Sequence, residues 1–148
     1  MTKDIRLVKP HETYGLRHSI LRPHQPIEAC RYDGDFSPSA FHIAGFLHNN
    51  VVCVLSGYEE AQPDLTAKKP FRLRAMATTP QLRRQGWARE TLLRAEQEVR
   101  VRGGDFIWFN AREVAFPFYE SMGYQYFSEM FEIIPIGPHK IMGKYLKR

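Results

Sequence analysis

The chain has 148 residues, 43% of them hydrophobic and 25% charged, with a formal net charge of +5. This length suits one domain spanning 1–148, with a core that needs no disulfide staples, and argues against a two-domain reading. No apolar run is long enough to span a bilayer, and the opening MTKDIRLVKP carries no apolar signal segment. A cytoplasmic protein without membrane contact is expected.

Ile5 and Leu7 alternate with polar residues in a short first strand, and Pro10 opens a helical segment carried by Leu16 and Ile20 and stopped by Pro23. From Arg22 to Pro38 the chain is rich in Pro, Gly and Asp and reads as irregular, with one helical turn. AFHIAGFLHNNVVCVLSGYEE holds two antiparallel strand patterns joined at Asn49 and Asn50, residues that tolerate the positive φ of a tight turn. AQPDLTAKKP is a loop, and FRLRAMATT is a strand ending at Pro80. From about Gly86 to Arg102, Leu92, Leu93, Ala95 and Val99 form one apolar helical stripe, which Gly103 and Gly104 close. DFIWFNA is a near-continuous apolar run, as in a buried strand with a parallel neighbour. EVAFPFYESMGY is a short helix with Pro117 in its first turn, Ala115, Phe118 and Met122 on one face and Gly123 at its end. QYFSEMFEII and HKIMGKYLK are two further strands joined by PIGP. The order describes a mixed α/β sheet with antiparallel strands at both ends.

Cys30 and Cys53 form no Cys-x-x-Cys pair and read as reduced thiols. The histidines at 11, 18, 24, 42, 48 and 139 lack the helical spacing and cysteine partners of a zinc site, so no metal is expected. The positive charge favours an anionic partner, and Arg72, Arg74, Arg83, Arg84, Arg89 and Arg94 group around LRRQGWARETLLRAEQ, from Leu82 to Gln97. This stretch follows a strand and opens a helix, with Gly86 where bulk would block a ligand. Amides at a helix start carry the positive end of the helix dipole and can take a phosphate. The first glycine and the lysine of a P-loop are missing, as are the three glycines of a dinucleotide fingerprint. Trp87, Trp108 and Phe109 fall at a helix start and in a buried strand, unlike the exposed platform on which bases stack, so no nucleic-acid partner is expected.

What the stretch does match is Arg/Gln-x-x-Gly-x-Gly/Ala, as Arg83-x-x-Gly86-x-Ala88. FYESMGY is similar to a Phe-Tyr-Glu-x-x-Gly-Phe signature, with Tyr124 in the final place. With FRLRAMATTP, the long helix and DFIWFNA in between, the chain from Phe71 to Tyr124 resembles the GNAT superfamily of N-acetyltransferases. The segment GPHKIM is similar to the Pro-His-x-x-Met ending of some bacterial members.

The resemblance implies a GNAT fold, a mixed central sheet of about six to seven strands with splayed middle strands and flanking helices. It implies acetyl-CoA as the acyl-donor cosubstrate, with its pyrophosphate at Arg83, Arg84, Gln85, Gly86, Trp87 and Ala88 and its pantetheine on main-chain groups of Met76, Ala77 and Thr78. Asn110 is implied as a further CoA contact, with a turn residue or helix cap as the alternative. Tyr119 is implied as the general acid toward the departing thiolate; a phenol with an ordinary pKa of about 10 keeps its proton at neutral pH. A packed core tyrosine is the other reading. The base is unassigned among His42, His139, Glu59, Glu113 and a route through water. The implied activity is acetyl transfer to a primary amine of a small molecule or peptide, by direct attack in a ternary complex. Pro10 to Pro38 and Gln62 to Pro70 would shape the acceptor site. The rival is a catalytically silent CoA-binding module. Pairing of the carboxyl-terminal strands into a homodimer is left open.

Overall fold

Alternating side chains build β1 (Asp4–Val8), which pairs antiparallel with β2 (Phe41–Leu47), and β2 in turn pairs antiparallel with β3 (Asn50–Glu59). The structure, a computed structural model, describes residues 2–147. The chain divides into two units, Met1–Glu59 with Leu73–Glu98, and Glu60–Arg72 with Val99–Arg148.

In the first unit the β2–β3 turn closes on His48, at φ 50°, and Asn49, at φ 67°. This is one residue earlier than expected, because a two-residue hairpin of this hand needs left-handed backbone at both central positions, and Asn50 is already paired with Leu47. β3 is buried from Val52 to Tyr58 and is covered on both faces. On one face a 3-10 turn (Pro10–Thr13), α1 (Tyr14–Leu16) and a π turn (Arg17–Leu21) succeed one another. Their Leu16, Ile20 and Leu21 pack on Ala44, Val54 and Ala77. On the other face Trp87, the first residue of α2 (Trp87–Val101), packs on Val52 and Cys53. A Cβ at Gly45 would stand 2.9 Å from the Trp87 ring, so β2 admits the indole only where it has no side chain.

Along α2, Leu92, Ala95 and Val99 are fully buried, but Leu93 is 38% exposed. The stripe is narrower than expected: the buried side runs through Thr91, Leu92, Ala95 and Glu98, and Leu93 lies about 100° round the helix from Leu92. Among the described residues no helix is long and apolar enough to cross a membrane.

In the second unit, Pro70, Phe71 and Arg72 at the start of β4 (Pro70–Thr78) pair in parallel with Phe106, Ile107 and Trp108 of β5 (Phe106–Arg112). This register runs to Arg72, the last residue of β4 that belongs to the second unit. β5 pairs antiparallel with β8 (Gly137–Tyr145) along its whole length, and β8 is flanked on its other edge by β6 (Gln125–Tyr126) and β7 (Phe131–Ile133). The carboxyl-terminal edge of the sheet is therefore formed by β6 and β7, with β8 inside it. QYFSEMFEII, expected as one strand, breaks in two: Phe127 N still donates to Ile141 O at 2.8 Å, but Ser128 Oγ takes the Ile141 amide at 2.8 Å, replacing the backbone acceptor. The sheet consequently counts eight strands among the described residues.

α3 (Phe116–Ser121) has Pro117 in its first turn and closes by a double bond, Gly123 N to Glu120 O at 3.0 Å and Tyr124 N to Tyr119 O at 3.0 Å. That closure needs a left-handed residue at Gly123, which has φ 91°. Phe116 and Met122 are buried, and Phe118 is only half-buried.

The two neighbouring leucines of α2 separate on stability. Leu92→Ala should cost about 2–5 kcal/mol, and Leu93→Ala about 1 kcal/mol or less, in urea unfolding followed by circular dichroism; equal losses would contradict the placement of the stripe.

Candidate active site

β4 buries Phe71 and Leu73 in alternation, and the alternation lapses at half-buried Ala75, which has φ 61°. A left-handed residue other than glycine costs about 1–2 kcal/mol and persists only where the surroundings hold it. The irregularity falls immediately before Met76, Ala77 and Thr78, the expected main-chain donors and acceptors. Of these, Ala77 and Thr78 are buried and Met76 is half-buried. The Thr78 and Thr91 hydroxyls lie 3.4 and 3.1 Å from Cys53 Sγ. Burial pushes the Cys53 thiol up, against the pull of these hydroxyls, so it is a packed thiol and not a nucleophile.

After β4 the chain makes a 3-10 turn (Pro80–Leu82), and then Arg84 at φ 63° and Gly86 at φ 88° bracket Gln85 before α2 begins. The Glu90 amide donates to Gly86 O at 3.0 Å. The amides ahead of Glu90 have no carbonyl one turn back in the helix, and left-handed residues in such a turn gather main-chain amides into an anion-binding concavity. Arg83, Arg84 and Gln85 are exposed, Gly86 and Ala88 are half-buried, and the Trp87 indole belongs to the core, which leaves Trp87 only its main chain for a ligand. Three of the four other arginines of the group go elsewhere: Arg72 to Glu60 at 3.2 Å, Arg94 to Glu98 at 3.1 Å, and Arg74 to the ring of Tyr32. In their stead the structure supplies Lys3, whose Nζ would lie 3.7 Å from a Cβ at Gly86 and sits 5.3 Å from the Trp87 ring. No local pattern signals this cation, because only the β1–β2 pairing brings the amino-terminal segment there.

In the second unit Asn110 lies within β5, opposite Ile141, with its amide unpartnered among the described residues. It caps no helix; Arg112 precedes the next turn. Tyr119, in the last turn of α3, is half-buried, its ring 4.4 Å from Phe109 and 6.1 Å from Tyr124. Burial pushes its phenol up to about 12, against the pull of Arg112. Of the candidate bases, Glu59 and Glu113 are exposed, and His139 is buried with Nδ1 2.7 Å from Gly137 O and its ring stacked on Phe131.

Residues 52–133 match the family model described as the acetyltransferase (GNAT) domain. The whole chain is 34% identical over 144 residues, 97% of each chain, to the uncharacterized N-acetyltransferase YitI of Bacillus subtilis (strain 168). The chain belongs to the GNAT acetyltransferase family. Two solved structures show the same fold: Ard1 from Thermoplasma volcanium, at TM-score 0.79 and 14% identity with all of both chains covered, and an aminoglycoside 6'-N-acetyltransferase complexed with coenzyme A, at TM-score 0.76 and 14% identity, covering 97% of this chain and 98% of the other.

This GNAT chain also carries a buried polar cluster that no motif announces. Arg17, fully buried in the π turn, donates to both carboxylate oxygens of Asp35 at 2.7 and 3.1 Å, to Cys30 O at 2.8 Å and to Ser56 Oγ at 2.8 Å. Tyr58 Oη donates to Asp35 at 2.5 Å. His42 is spent in the same cluster: Nε2 donates to Asp35 O at 2.9 Å, so Nδ1 is left to accept from Ser56 Oγ at 2.7 Å. That removes His42 from the candidate bases.

Burial works against ionised Asp35, but the hydrogen bonds from Arg17, Tyr58 and the Tyr32 amide outweigh it and hold its carboxyl below the usual range. The folded carboxyl therefore titrates below the unfolded one. The cluster's contribution is complete above about pH 4 and drains away as the pH falls toward the folded value. Asp35→Asn, which leaves Arg17 charged and buried, should cost about 3–5 kcal/mol at neutral pH and flatten the acid limb of stability against pH, read by urea unfolding at each pH. An unaltered acid limb would show that the ion pair does not carry it.

Proposed function

We propose that this chain transfers the acetyl group of acetyl-CoA to a primary amine of a small molecule or peptide, by direct attack in a ternary complex. The observation that carries the reading is the turn from Arg83 to Ala88. Its left-handed Arg84 and Gly86, its unpaired helix-start amides and the ammonium of Lys3 make a cationic seat suited to a pyrophosphate. Acetyl-CoA supplies the activated thioester. Met76, Ala77 and Thr78 offer main-chain groups to the pantetheine and to the thioester oxygen, with Ala75 breaking the strand's alternation just ahead of them. Within the second unit, Asn110 carries a side-chain amide that is unpartnered among the described residues, and Tyr119 offers a phenol that stays protonated throughout the physiological range. Both thiols are buried and raised by burial, so neither cysteine recommends itself for a covalent acyl intermediate. The unpaired thiols also fit a reducing cytoplasm.

Two experiments test this, one for binding and one for chemistry. Gly86→Glu should weaken acetyl-CoA binding at least roughly tenfold, about 1.4 kcal/mol, in calorimetry. Gly86→Ala, which adds only the backbone cost of a side chain at φ 88°, should weaken it less; unchanged affinity in the folded Glu variant would remove the turn as the donor site.

Tyr119→Phe keeps the ring and deletes the hydroxyl. With a competent acceptor and saturating acetyl-CoA, its kcat should fall roughly 10²- to 10⁴-fold while acetyl-CoA affinity changes little. A silent CoA-binding module would pass the first experiment and show no turnover to lose in the second. An unchanged kcat would take Tyr119 out of the chemistry.

A further inference from the structure

We infer that Arg22 and Arg74, held on the ring of Tyr32, form an anion-recognising subsite that selects acceptor amines carrying a carboxylate. The inference rests on the proposed acetyl transfer and names the acceptor class that this surface fits. Three guanidiniums lie against this one ring: Arg17 at 4.2 Å, Arg74 at 4.6 Å and Arg22 at 4.9 Å from its centroid. Arg17 is neutralised by Asp35 and fully buried. The other two are not neutralised. Among the described residues neither Arg22 nor Arg74 lies in an ion pair, and Arg22 reaches only the side-chain oxygen of Gln25, at 3.5 Å. Exposed Arg31, next to Tyr32 in the chain, adds a further cation 6.0 Å from the ring of Tyr14.

Like charges gathered on one partly buried aromatic ring repel one another, and screening by salt is weaker there than on open surface. The face of a tyrosine offsets part of that repulsion. What remains is a pair of half-buried guanidiniums held over one ring, with most of their N–H donors unspent among the described residues. Such planar forks match the two oxygens of a carboxylate. The scaffold that presents them is rigid where it matters: Tyr32 N donates to Asp35 Oδ2 at 2.9 Å, so the ring is tied to the buried cluster.

The position along the chain gives the subsite its meaning for transfer. Arg74 stands two residues before Met76 on β4, within roughly 7 Å along the strand of the main-chain groups proposed for the thioester end of the donor. A carboxylate held there suits an acceptor whose amine is only a few bonds from its acid group, as in an amino acid or the residue at a peptide end. The same charges oppose a polycationic acceptor such as a polyamine or an aminoglycoside, which would bring further ammonium groups to uncompensated arginines.

The test is a comparison of kcat/KM for matched pairs, free amino acids and acidic dipeptides against their carboxamides, with spermidine as the cationic probe. It is run on the wild-type chain, Arg22→Gln, Arg74→Gln and Arg74→Lys. In the wild type, at least one acid should be used about tenfold or more better than its amide and better than spermidine. Each Gln variant should lower that acid-to-amide ratio severalfold, and Arg74→Lys should keep part of it. The ratio serves as its own control, because a poorly folded variant loses acid and amide turnover alike. A wild-type ratio near one, a preference for spermidine, or a ratio that survives both Gln variants overturns the subsite. Calorimetric binding of acetyl-CoA is measured in parallel: acetyl-CoA binding without turnover of any carboxylate-bearing amine overturns the subsite alone, whereas loss of acetyl-CoA binding overturns the donor reading beneath it.

Discussion

Arg17 keeps its charge at any pH the protein meets, and it sits where no water reaches it. A charge so placed must be met by close partners, since one left alone costs far more than a matched pair returns. Here both terminal nitrogens are met by four residues, Asp35 and Cys30 in the irregular segment and Ser56 and Tyr58 on β3, and only Nε lacks a partner among the described residues. His42 on β2 joins through Ser56 and the Asp35 carbonyl. Residues between Arg22 and Pro38 have little regular structure of their own beyond one 3-10 turn, Ile27–Cys30. The requirement to satisfy one guanidinium therefore decides where that segment lies on the sheet, and specificity of placement, more than net stability, is what such a cluster supplies.

The consequence reaches the surface through Tyr32. Its amide is bound by the same Asp35 carboxylate, and its ring receives Arg17 from the buried side and Arg22 and Arg74 besides. A loop fixed only by its own turns would leave these arginines mobile and well hydrated. Tied to a buried ion pair, it holds the Tyr32 ring against which Arg22 and, from β4, Arg74 are set, and a binding group that is already ordered gives up less entropy when a ligand arrives.

Features written in neighbouring residues were legible from the sequence. Pro117 and Gly123 bound α3 because a helix tolerates proline at its start and a closing double bond needs a left-handed residue at its end. Arg83, Gly86 and Ala88 marked the turn because hand and bulk are local properties. The hairpin was displaced by one residue because His48 and Asn50 are equally plausible occupants of the turn when read alone, and only the register with Leu47 decides between them. Leu93 misled because an apolar residue one step off a stripe leaves the local pattern almost unchanged. Lys3 at Gly86, Arg17 on Asp35 and the left-handed Ala75 had no local signature. Each is set by pairing between distant segments, and a polar residue in an irregular loop looks the same whether it is solvated or buried in an ion pair. The six-arginine group shows the reverse error, since three of its members, Arg72, Arg94 and Arg74, go to Glu60, Glu98 and Tyr32 in space.

The proton on Tyr119 constrains how the proposed transfer ends. A thiol ordinarily titrates at about 8.5, and burial lifts the Tyr119 phenol to about 12. Full donation from this phenol to an ordinary thiolate runs uphill by a thousandfold or more in equilibrium, roughly a factor of ten for each pKa unit of the gap. Tyr119 can complete the donation only where the thiolate is desolvated as well, which raises its basicity in the same direction. Short of that, it acts as a hydrogen-bond donor that steadies developing negative charge without giving up its proton. Both outcomes start from a protonated hydroxyl, which an ordinary phenol already has at neutral pH. What burial against Phe109 and Tyr124 adds is a weaker acid, which favours the hydrogen-bonding role over full donation in the proposed transfer.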